Sequence, residues 1–163
     1  MQKITPFLWF DSQAEEAAKY YVSIFKNSKL GQVSRYGKEG YEIHKQPEGR
    51  AMAVDFELDG QLFTALNGGP LFKFNESVSF QVHCETQKEV DYYWEALSAG
   101  GDPKAQQCGW LKDKYGLSWQ VVPTVLPRML ADKNTEKSER VMKAMLQMKK
   151  LDIAELMRAY EQK

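Results

Sequence analysis

One local pattern is written twice in this chain of 163 residues: an apolar alternating run, a helix-capping signal, an amphipathic helical stretch and a closing turn. Residues 4–10 (ITPFLWF) alternate as a strand does and run into Ser12-Gln13-Ala14-Glu15, the Ser-x-x-Glu spacing of a reciprocal N-terminal cap. Residues 77–84 (SVSFQVHC) alternate likewise and lead to Thr86-Gln87-Lys88-Glu89 and the helical run VDYYWEAL. Each half then closes on a turn between alternating runs, around Asp59-Gly60 in the first and Tyr115-Gly116 in the second. Two one-sided helices need two sheets to lie on. The economical fold is therefore α+β: two βαβββ modules with mixed sheets, followed by C-terminal helices.

The spacing sets the boundaries. From Ser12 to about Phe25, Ala14, Ala17, Ala18, Tyr21, Val22 and Phe25 recur at helical period, with Glu15, Glu16 and Lys19 on the wet face. A second strand begins at Val33 to Tyr36, and 37–49, rich in Gly, Glu and Pro, reads as a loop. Residues 51–58 and 61–67 make the clearest hairpin, because Asp59-Gly60 supplies the positive dihedrals of a two-residue turn. In the second module Gly100-Gly101-Asp102-Pro103 ends the helix, and strands are expected over 105–111 and 117–122, joined by a turn at 112–116. Helices are expected over 124–131, 136–149 and 153–161, the last capped by Asp152-Ile153-Ala154-Glu155. The modules are thus 1–70 and 71–123, with a helical tail from 124 to 163.

Charge narrows the partners. Lys plus Arg and Asp plus Glu both number 22, so no basic surplus draws the chain to phosphate backbones or anionic lipid, and neither nucleic acid nor membrane is an expected partner. No apolar run is long enough to span a bilayer and no secretory leader is read, which points to a soluble protein of the reducing cytoplasm. The two cysteines, Cys84 and Cys108, have no metal-ligand spacing; they read as ordinary buried thiols, with no disulfide assigned. Val141, Met145 and Met148, with Leu146 beside them, form a helical stripe that reads as packing, against the module or a partner subunit.

Because side chains alternate along a strand, each strand sorts into a helix-covered face and an opposite face. Ile4, Leu8 and Phe10 suit the covered face and leave Thr5, Phe7 and Trp9; Val54, Phe56 and Leu58 leave Ala53, Asp55 and Glu57. In the second half Val78, Phe80 and Val82 leave Ser79, Gln81 and His83, while Leu117, Trp119 and Val121 leave Ser118 and Gln120. A polar second face recurs in three of these four strands. It is either a flat solvated surface or the wall of a concave site floored by Trp9 and Trp110, in which Asp55 and His83 are the acid and base types available for proton transfer. A histidine in such a place also serves as a structural residue.

Three segments carry a family resemblance: ITPFLWF-D-x-QAEEAAKYYVSIF, VDFELDGQLFTALNGGP and CGWLKDKYGLSWQVVP. Together they resemble the PhnB-like branch of the vicinal oxygen chelate superfamily, which includes glyoxalase I, bleomycin-resistance proteins and extradiol dioxygenases. The resemblance spans 4–123 and implies paired βαβββ modules, a sheet enclosing a site, and a homodimer. Enzymes of this superfamily hold a divalent metal with four inward side chains, which the motif match carries to Thr5, Ala53, Ser79 and Gln120. Only Gln120 is a conventional ligand, so the expectation is no metal and no cofactor. Similar proteins are often described as 3-demethylubiquinone 3-methyltransferase-like, yet the first strand leads to Asp11-Ser12-Gln13 and not to the Gly-rich turn of an S-adenosylmethionine fold.

The first functional expectation is a metal-free binding module for a small ligand, with Phe7, Trp9 and Trp110 stacking on it and Gln81, His83 and Gln120 orienting it. The alternative is a lyase, isomerase or dioxygenase-type enzyme with Asp55 and His83 catalytic. A third is an interaction role for the tail helices.

Overall fold

The alternation at the start of the chain becomes a strand only from Phe7 to Phe10 (β1). In the computed structural model, which describes residues 2–162, it is followed by α1 (Ala14–Ile24), β2 (Lys29–Arg35), a single turn α2 (Tyr41–His44) within the expected loop, β3 (Ala51–Leu58) and β4 (Gln61–Asn67). The strands order as β1-β4-β3-β2, with β1 parallel to β4 and the other pairs antiparallel. At the β3–β4 turn Asp59 and Gly60 take φ of 47° and 80°, the left-handed pair a two-residue hairpin needs. The α1 face made of Ala14, Ala17, Ala18, Tyr21 and Ile24 is buried, and so are Leu8, Phe10, Val54, Phe56, Leu58, Phe63 and Ala65 on the sheet. Alanines let the helix approach closely, and Tyr21 stacks on Phe56 at 6.3 Å, which stacks in turn on Phe63 at 5.3 Å. This is one of two compact units, Met1–Phe74 and Asn75–Lys163.

The second unit runs β5 (Ser79–Cys84), α3 (Gln87–Ser98), a 3-10 turn (Pro103–Ala105), β6 (Trp110–Lys112) and β7 (Ser118–Pro123), then α4 (Val125–Leu130), α5 (Thr135–Met145) and α6 (Ile153–Glu161). Its sheet orders as β5-β7-β6, again with the outer pair β5–β7 parallel and β6–β7 antiparallel. The strand expected over 105–111 survives only as β6. Cys108 and Gly109 take φ of 50° and 84°, which breaks the pleat, and Gln107 folds back to bridge Trp110. Their amides turn instead to the chain after α5: Cys108 N donates to Met148 O at 2.9 Å and Gly109 N to Lys149 O at 2.7 Å. A Cβ on Gly109 would lie 2.9 Å from both Leu151 Cδ1 and Val121 O, so the crossing needs glycine for space as well as conformation. The tail is thereby fixed to the sheet, and Val122, Leu126, Met129, Val141, Met148, Leu151 and Leu156 form one buried cluster. Met145 is partly buried beside it and Leu146 is exposed, so the expected stripe packs over part of its length.

Two sequence expectations need correction. Ile4 and Val78, assigned to the helix-covered faces, are exposed because neither strand has begun at those positions and no pleat fixes them beneath a helix. The first capping box does not form either. The N-cap of α1 is Gln13 with no side-chain cap bond, and the first helical amide, Ala14 N, donates to Asn67 Oδ1 at 2.8 Å across the fold. Asn67 is 2 % exposed and also donates from Nδ2 to Ala51 O, so one buried amide joins α1, β3 and β4. The second box forms as read: Thr86 Oγ1 accepts from Glu89 N and Glu89 Oε2 from Thr86 N, both at 3.2 Å. Asp152 caps α6 by accepting from Glu155 N.

Losing two buried hydrogen bonds and leaving their partners unpaired costs about 2–4 kcal/mol, whereas an exposed side chain without a cap bond costs about 0.5 kcal/mol or less. Urea denaturation is therefore expected to show Asn67→Ala strongly destabilised and Ser12→Ala close to the parent. The reverse order would mean that Ser12 caps the helix.

Candidate functional site

Each sheet has one face beneath its helix and one face opposite, and the functional candidates lie on the second. In the first unit the pairing sets Phe7 beside Thr64 and Thr64 beside Asp55, and Trp9 beside Leu66 and Leu66 beside Ala53. The hydroxyl of Thr64 donates to Asp55 Oδ1 at 2.7 Å. Phe7 is 60 % exposed, with no ring partner among the described residues. Trp9 is different. Its Nε1 donates to Gly69 O at 2.8 Å, Phe72 packs edge-on at 5.0 Å, and a Cβ on Gly68 would lie 2.3 Å from the indole. Trp9 is thus fastened to the 67–70 turn, with its hydrogen-bond demand met inside the protein.

The second unit builds an amide and hydroxyl ladder on the corresponding face. Ser79 pairs with Ser118 and Ser118 with Lys112; Gln81 pairs with Gln120 and Gln120 with Trp110. Gln81 Nε2 donates to Gln120 Oε1 at 3.1 Å, and Gln120 Nε2 donates to Ser79 Oγ at 2.8 Å. The half-buried Trp110 indole has no hydrogen-bond or ring partner among the described residues. His83 is exposed and likewise makes no side-chain hydrogen bond among them. Ser118 is 1 % exposed, and its Oγ is a buried polar atom without a partner among the described residues. Lys112 is 25 % exposed and pairs with Glu76. That contact holds the Glu76 carboxyl below its usual range.

The last parallel pairs, Phe10 with Asn67 and Cys84 with Pro123, superimpose the two registers. Phe7 then corresponds to Gln81, Trp9 to His83, Thr64 to Gln120 and Asp55 to Trp110. The counterpart of Gln120 is therefore Thr64 on β4, not Ala53 on β3 as the motif match had it. Thr5 precedes β1 and is exposed. On either mapping the positions offer hydroxyls and one amide, and Gln120 already spends both amide ends on Gln81 and Ser79. A divalent ion needs charged or imidazole donors, and these residues do not fit one. No three His, Cys, Asp or Glu side chains gather as metal ligands among the described residues. Sequence reasoning placed Ser118 on this face by parity but missed Lys112, which it read as turn.

A family model described as 3-demethylubiquinone-9 3-methyltransferase matches residues 2–122. The chain belongs to this family. The PhnB protein of Bacillus cereus, a solved structure, is 36 % identical over 76 % of this chain and 100 % of its own, with a TM-score of 0.64. Protein PA1353 of Pseudomonas aeruginosa (18 % identity, 76 % of this chain and 98 % of its own, TM-score 0.56) shares the fold. So does the fosfomycin resistance protein FosX of Mesorhizobium loti (12 %, 81 % and 100 %, TM-score 0.55). These matches place the chain in the vicinal oxygen chelate superfamily, with the α+β fold of glyoxalase and bleomycin-resistance type. No curated protein matches the chain significantly. Helices α4 to α6 lie beyond the end of the family match. Among the described residues no helix is long and apolar enough to cross a membrane.

Both cysteines are free, but they are not alike. Cys84 is fully buried, and burial, with the Glu89 charge adding to it, pushes its thiol up to about 12; Cys108 is half-exposed, contrary to the expectation of two buried thiols. The thiolate is the reactive form. A disulfide reagent at about pH 8 is expected to titrate one thiol in the native protein and two after denaturation. Two fast native equivalents would contradict this burial.

Proposed function

We propose that this protein binds a small planar or amphiphilic molecule on the helix-free faces of its sheets, without the superfamily's metal, and that it does so in the cytoplasm as a homodimer. The observation that carries the reading is the Gln81–Gln120–Ser79 ladder beside the unpartnered Trp110. A ring with a polar row alongside it suits a planar ligand, whose body stacks while its polar edge meets the amides. On the corresponding face of the first unit Phe7 is an exposed ring and Trp9 is held in a fixed position by Gly69 and Phe72. Asp55, held by Thr64, and His83 serve in this reading as orienting groups on their faces. Two free thiols accord with a reducing compartment.

Methyl transfer has no comparable support. Nothing after β1 resembles a nucleotide-binding glycine turn, and each sheet mixes parallel and antiparallel pairs in an order unlike the doubly wound fold.

The neutral aromatic 2-naphthol tests the reading. It is expected to quench tryptophan emission saturably, and Trp110→Ala and Gln120→Ala should each weaken it about tenfold, the loss of one stacking or hydrogen-bonding contact. Quenching that does not saturate, or that both variants leave unchanged, would reject the site.

A further inference from the structure

The row next to the Gln120 ladder holds donors that lack acceptors. Gln120 presents its Nε2 to Ser79, so Ser79 Oγ accepts there and its own proton must point elsewhere. Ser118, directly beside Ser79 in the parallel register, has a buried hydroxyl with no partner among the described residues. On the other side of Ser118 the antiparallel register places Lys112, whose ammonium is engaged, among the described residues, by Glu76. The two partners are unequal: the lysine side chain is 25 % exposed and the glutamate 64 %. The cation is held against the sheet and the carboxylate is the removable member.

We propose that Ser79 and Lys112 are the accessible donors of an oxyanion subsite, with the buried Ser118 hydroxyl between them as a floor uncovered when Lys112 leaves Glu76 for the ligand, and that it takes a carboxylate or a comparable oxyanion whose planar body lies toward Trp110. This rests on the binding role proposed above and adds the charge of the ligand to it. Two hydroxyl protons and one ammonium on a single row are a donor set that meets, among the described residues, no acceptor except Glu76, and such a set is complemented by negatively charged oxygen. An orphaned hydroxyl in a sheet interior is otherwise selected against, since alanine would fill the same position without an unpaired group. Glu76 acts as the stand-in: its carboxylate occupies Lys112 until a ligand carboxylate replaces it.

Titrations of the full-length protein with sodium benzoate and with benzamide, followed by backbone amide shifts, test the assignment. Benzoate is expected to bind about tenfold more tightly than benzamide, with the largest shifts at Ser79, Lys112 and Ser118. Lys112→Met and Ser118→Ala should each remove that preference, and Glu76→Gln should strengthen benzoate binding about threefold by freeing the lysine. Ser118→Ala should also melt no lower than the parent, which separates loss of a ligand contact from loss of folding. Equal binding of benzoate and benzamide would overturn the oxyanion subsite while leaving the general binding role intact. So would a benzoate preference that both variants retain, or binding of 2-naphthol with none of benzoate. Failure of all three probes would remove both readings.

Discussion

The parallel pairing of the first strand of each unit with its last is the constraint on which the rest depends. It sets Phe7 beside Thr64 in one sheet and Gln81 beside Gln120 in the other, and the two-residue period of the strand then fixes every other side chain to a face. A slip of one residue would expose Val54, Phe56 and Val121 and bury Asp55 and Gln120. Burying each large apolar side chain contributes about 1.5–3 kcal/mol, so several at once hold the register firmly. The face opposite α1 and α3, apart from Val122 in the tail cluster, is consequently free to hold residues chosen for something other than packing.

The two units use that freedom differently. At corresponding positions the first sheet has Phe7, Thr64 and Asp55, with a hydroxyl donated to a carboxylate; the second has Gln81, Gln120 and Trp110, with amides linked to one another beside an open ring. The edges diverge as well. The first sheet ends in β2, whereas the second stops at β6 because Cys108 and Gly109 turn the chain toward the carbonyls of Met148 and Lys149. The tail helices, beyond the family match, thus gain their attachment at the place where a fourth strand is missing.

Much of this was legible in the residues, for definite reasons. The Asp59-Gly60 hairpin, the Thr86–Glu89 box and the buried alternation of β3 rest on local rules, and local rules are read from neighbours in sequence. What escaped depended on distant partners. Ser12 and Glu15 have the spacing of a cap, but Asn67, far along the chain, takes the amide of Ala14. Residues 105–111 alternate acceptably, yet left-handed dihedrals at Cys108 and Gly109 and carbonyls from the tail override the pattern. Trp9 and Trp110 look equivalent in sequence, and only the contacts of Trp9 with Gly68, Gly69 and Phe72 separate a fastened indole from an open one. Lys112 looked like turn because nothing in its neighbours shows that Ser118 lies across from it.

The positions that the family resemblance carries to a metal hold hydroxyls and one amide, a set that does not fit a divalent ion. The decisive measurement is a crystal structure of the protein purified without added metal, with anomalous scattering recorded for transition metals. The account predicts no anomalous peak within bonding distance of Gln120 and any extra density lying against Trp110 as an organic molecule. An ion coordinated by Gln120 with Ser79 would contradict it.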